Sequence, residues 1–105
     1  MKKKGLNHDR FEERYFELEK DHLYYYKPGK SKGNSFTCII LSTANIRMYS
    51  SEQPDTAPDK LPSYIEKNFN NKSYYILEIQ NESRNYVLAA KSHFDLEEWF
   101  NAIFA

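Results

Sequence analysis

The chain has 105 residues, with charges that sum to zero. That length suits one small domain, and a neutral total argues against general affinity for nucleic acid. No apolar run approaches the roughly 20 residues of a membrane span, and no opening segment has the pattern of a secretory signal. The lone Cys38 has no intrachain partner and lies in an apolar run, so a buried thiol in a reducing cytoplasmic setting is expected.

The charge is unevenly spread. Residues 1–47 carry ten basic and six acidic side chains, a net of +4, and the remainder carries five and nine, a net of −4. Such a dipolar domain is steered toward an anionic surface by its basic end.

Residues 2–6 are short and basic and read as the tail of a first strand. Residues 11–18 (FEERYFEL) alternate, placing Glu12, Arg14, Phe16 and Leu18 on one face and Tyr15 and Glu17 on the other. A tight turn at Glu19-Lys20-Asp21 leads into a tyrosine-rich strand at 22–27, so the two form a hairpin. Residues 28–35 (PGKSKGNS) make a loop that carries Lys30 and Lys32 between Gly29 and Gly33. Strands follow at 36–41 and 44–49.

The stretch 50–72 is polar, with Pro54, Pro58 and Pro62, and reads as an insertion with a helical turn or two at 63–68. Two more strands, at 74–80 and 85–90, are joined by a short turn. The helix expected at 92–104 is the only segment with a sustained helical period. Phe94 or Leu96, Trp99, Phe100 and Ile103 line one face, and Ser92 with Asp95 makes a cap-like start. Trp99 is expected in the core. One amphipathic helix after a run of strands must cover something, most simply an open end of a sheet.

Three places resemble the pleckstrin-homology (PH) family. FEERYFEL followed by LYYYK is similar to its second and third strands, and NYVLAAKS before a helix with a single Trp99 followed by Ala102-Ile103 is similar to its closing strand and helix. The resemblance spans nearly the whole chain. It implies a mostly β fold: a bent antiparallel sandwich or barrel of about seven strands, capped by one C-terminal α-helix, with one domain over 1–105. The Gly-x-Leu entry to the first strand does not precede Lys2, so excision from a larger protein is expected.

The resemblance also implies a headgroup site on the rim at the end away from the helix. Carried over residue by residue, Lys3 or Lys4 ends the first strand, Arg14 is the second-strand arginine and Tyr25 the third-strand tyrosine, with Lys30 and Lys32 on the rim. Two residues before Arg14, where binders of the family place Lys or Arg, stands Glu12. At about 1 kcal/mol per basic residue near an anionic surface, that reversal costs roughly 2 kcal/mol.

The expected function is a non-catalytic signalling module that binds phosphoinositide or anionic membrane weakly or with low selectivity. The alternative is a protein-interaction module that docks a GTPase or an intramolecular partner without significant phosphoinositide binding. A monomer is expected, with peripheral membrane association and no cofactor. His8, His22 and His93 are scattered without metal-ligand spacing, and Cys38 has no activating partner in the sequence.

Overall fold

In the computed structural model, residues 1–5, 10–27, 37–52, 62–69, 72–82 and 84–104 are described. The described strands are β1 (Lys2–Lys4), β2 (Phe11–Glu13), β3 (Tyr15–Glu19), β4 (His22–Tyr26), β5 (Thr37–Ile40), β6 (Asn45–Ser50), β7 (Tyr75–Gln80) and β8 (Asn85–Ala89), with helices α1 (Ser63–Phe69) and α2 (His93–Ile103). They form a five-stranded sheet in the order β2-β1-β8-β7-β6 and a three-stranded sheet in the order β3-β4-β5, antiparallel throughout.

The strand expected at 11–18 is two strands in different sheets. The chain passes from one to the other at Arg14, whose N–H donates to Met1 O at 3.0 Å. Alternation survives the crossing, so the predicted in-phase set of Arg14, Phe16 and Leu18 holds, but pairing partners change from β1 to β4. The basic tail at 2–4 is a strand in its own right, held between β2 and β8.

The expected hairpin forms between β3 and β4. Phe16 faces Tyr25 and Leu18 faces Leu23, while Lys20 takes the left-handed conformation (φ 54°) at the turn. Cross-strand apolar pairs of this kind each contribute about 0.2–1 kcal/mol. They belong to the main core, where Leu23, Ile39, Leu77, Ile79, Leu88 and Leu96 are fully buried between the sheets and α2.

β7 and β8 are buried on both faces because a second apolar cluster lies outside the five-stranded sheet. There α1 lays Ile65 over Ile76, Val87 and Ala89, and Phe69 meets Phe11 edge-on with ring centroids 5.5 Å apart. The helical turns expected at 63–68 are therefore a docked cover. The Tyr64 hydroxyl donates to buried Glu78 at 2.7 Å, which pins the helix. Burial, then that hydrogen bond, hold the Tyr64 phenol far above its usual range. The flanks of the insertion are clasped by Ser51 N–H to Tyr74 O at 3.0 Å.

α2 starts where its cap signals it: Ser92 Oγ accepts the Asp95 N–H at 3.0 Å. Of the two predicted alternatives for its inner face, Leu96 is fully buried and Phe94 is 71 % exposed. Trp99 is only partly buried, its ring 6.3 Å edge-on from Phe16. His93 bridges Ser50 Oγ at 2.8 Å and Glu97 at 2.7 Å, tying the helix to β6. Cys38 is half-buried, not buried, because its register opposite Tyr24 turns it to the outer face of the small sheet.

Candidate functional site

Of the described residues that the sequence singled out, Lys3 and Tyr25 meet on the core face, with Arg14 at the neighbouring sheet crossing. Lys3 opposes Glu12 on one side and buried Leu88 on the other, so its side chain leaves β1 on the core face. Its ammonium sits 5.2 Å from the Tyr25 ring centroid, within cation–π range, and donates to Lys4 O at 3.1 Å. Tyr25 is buried, tilted against Phe16 with centroids 5.6 Å apart and edge-on to Tyr86 at 6.4 Å. It forms the floor under the lysine.

Burial holds the Lys3 ammonium down, and the positive charges of Arg84 and Arg14 press it further, to about 8 from an ordinary value of 10.5. Glu12 acts in the opposite direction. Lys3 therefore feels the like charge of both arginines as well as its own burial.

Arg14 is held at the sheet crossing. One guanidinium nitrogen donates to Glu13 O at 2.6 Å and the other to Glu12 Oε2 at 3.2 Å. Glu12 thus occupies one guanidinium nitrogen of Arg14.

Arg84 was missed by the sequence reading. It ends the β7–β8 turn, where Asn81 Oδ1 accepts its N–H at 3.0 Å and Asn81 N–H donates back to its carbonyl at 3.1 Å. This closed turn points the guanidinium over the Tyr86 ring, 4.5 Å from its centroid. Its Nε is buried without a hydrogen-bond partner, a condition that costs about 1–3 kcal/mol. The signal available in the sequence was a basic residue in a tight turn next to the last strand.

Lys4 does not join Lys3. It faces Phe11 in register, one residue out of phase and on the outer face, and its ammonium donates to Gly5 O at 3.2 Å. Lys30 and Lys32 lie outside the described residues, as does His8. The candidate mouth among the described residues thus has Lys3 over Tyr25 and Arg84 over Tyr86, with Arg14 paired to Glu12 beside Lys3.

A family model for the PH domain matches residues 1–105. The chain is a PH domain. No curated relative and no solved structure matches it. Two antiparallel sheets closed by a C-terminal helix are the architecture of that family, whose members are generally non-catalytic signalling modules that bind lipids or proteins. Among the described residues no helix is long and apolar enough to cross a membrane.

A cleft of about 710 Å³ opens elsewhere on this PH domain, between α1 and α2 on the outer face of β1 and β2. Phe11, Phe69 and Trp99 wall it, but Lys2 and Lys91 are interspersed with Glu13 and Asp95. Charges of both signs therefore line this cleft together with its aromatic wall.

Proposed function

We propose that this PH domain is a peripheral membrane module of the cytoplasm whose open end takes the phosphate groups of phosphoinositides or of an anionic bilayer, weakly and with low selectivity. The observation that carries this reading is the placement of Lys3 over the Tyr25 ring and of Arg84 over the Tyr86 ring, with Arg84 and Arg14 both acting electrostatically on Lys3. A bound phosphate adds counter-charge to this group, and each charge-assisted hydrogen bond contributes about 1.5–3 kcal/mol. Lys30 and Lys32, by the family pattern, add charge from the rim. Weakness follows from Glu12, which a headgroup must displace from Arg14. The same ion pair favours the alternative, a PH domain devoted to protein partners, in which the mouth stays closed on itself.

Liposome co-sedimentation across a phosphoinositide panel, at about 50 and 150 mM salt, decides between them. The parent is expected to bind anionic vesicles more tightly at the lower salt. Arg14→Ala and Arg84→Ala are each expected to weaken binding about tenfold or more while keeping the fold. Binding by Arg14→Ala equal to that of the parent overturns the site, and no binding by the parent leaves the protein-partner reading.

A further inference from the structure

The outer face of the three-stranded sheet has a composition that neither the fold nor the mouth explains. An antiparallel sheet with one wet face ordinarily alternates apolar-in and polar-out. Here the in-register rows on the outside are Tyr15 beside Tyr26, Glu17 beside Tyr24 and Glu19 beside His22. Cys38 and Ile40 continue the second and third rows. Tyr15 is 52 % exposed and Ile40 49 %. The rings are ordered among themselves: Tyr15 and Tyr26 are 5.7 Å apart, and His22 stacks on Tyr24 at 6.1 Å with 15° between planes. The Tyr26 hydroxyl donates to Glu17 at 3.0 Å, which fixes that carboxylate at the margin of the rings.

We propose that this face docks an extended, arginine- or lysine-bearing segment of another protein. Three features select that occupant. Tyrosine faces attract cations, and Tyr is over-represented where binding energy concentrates. Glu17 and Glu19 are two residues apart on one strand, about 6.8 Å, the spacing of alternate side chains in an extended peptide. The charged side chains of the described strands on this face are Glu17 and Glu19 together with His22, so its aromatic rows carry carboxylates and neither Lys nor Arg among those strand residues. The surface goes beyond the lipid reading and stands without it.

The test titrates a capped nonapeptide alternating Arg with Thr into the isotope-labelled protein, with the same peptide carrying Glu for Arg as control. Amide shifts are expected along β3 and β4, at Tyr15, Glu17, Glu19 and Tyr24. Affinity is expected to fall about fivefold or more in Tyr15→Ser. It should fall similarly in Glu17→Gln with Glu19→Gln, which keeps an acceptor for Tyr26 while removing the charge. Tyr15→Ser should leave liposome sedimentation unchanged, which separates this surface from the mouth. Shifts confined to another surface, equal binding of the Glu peptide, or no binding at millimolar peptide overturn the proposal. So does a dimer that forms without peptide and is lost in Tyr15→Ser, since the face then belongs to a second copy.

Discussion

On the proposed lipid reading, the Arg14–Glu12 pair makes the affinity of this PH domain tunable at one position. The two side chains are 21 % and 46 % exposed at 3.2 Å, so the pair itself contributes only about 0–1 kcal/mol to stability and can be removed without unfolding the protein. Near an anionic bilayer each unit of charge is worth about 1 kcal/mol. Glu12→Gln changes the mouth by one unit and should tighten binding roughly fivefold, and Glu12→Lys changes it by two units, roughly thirtyfold. The new lysine faces Lys3 across the strands, where like charges cost a few tenths to about 1 kcal/mol of stability. It also removes the one carboxylate that raises the Lys3 pKa, so Lys3 titrates below its present value of about 8 and the gain shrinks in alkaline buffer. The assay is co-sedimentation with anionic vesicles near pH 6.5, where Lys3 is charged, with thermal melts to confirm the fold. A graded rise from parent to Gln to Lys supports the reasoning. Folded variants that both bind like the parent would place the bound phosphate out of reach of Glu12 and refute it.

Lys3 itself yields a pH test. Its folded pKa is depressed to about 8 from 10.5, so between those values the unfolded chain holds a proton that the folded chain has released, and parent stability rises with pH. Lys3→Met lacks that slope, so its stability relative to the parent should be most favourable at pH 7 and decline toward pH 10 in urea melts. A difference independent of pH removes the premise of a crowded cationic mouth. Tyr64→Phe strips buried Glu78 of its hydroxyl partner and should cost about 1–3 kcal/mol, with faster amide exchange in α1. An unchanged melting temperature would show that α1 does not depend on that bond. Leu96→Ala should cost about 2–5 kcal/mol because the side chain is fully buried, whereas Phe94→Ala, at a 71 % exposed position, should change little. The reverse order, by thermal melts, would mean that α2 is rotated.

The hairpin and the closing helix were legible because their signals are short-range. Period-two alternation in 15–26 and a hydroxyl cap three residues from an amide are properties of neighbouring residues, and both appear where expected. The choice between Phe94 and Leu96 was not legible, since both lie near the apolar stripe and only the direction of approach to the sheet separates them. The break at Arg14 was hidden for a related reason. A strand that bends from one sheet to another keeps its alternation, so the pattern carries no mark of the change in partners. Tyr25 illustrates a mixed case. Its phase with Leu23 was visible, but its burial under Lys3 depends on β1 and β8 closing over it.

By itself the sequence determined most of the kinds of element and their order, because these rest on local period and turn chemistry, while its resemblance to PH-family motifs pointed to the family and set Glu12 beside Arg14. The tertiary structure alone decided which charges meet. Arg84, just before β8, acts on Lys3 across the β1–β8 pairing, and Lys4, one residue from Lys3, is turned to the outer face by the same pairing. It also decided that part of the polar insertion is a helix covering the five-stranded sheet, held by a tyrosine on a buried glutamate. Electrostatic and packing energies depend on distance and burial, and in an antiparallel sandwich both are set by long-range register, which no local pattern encodes.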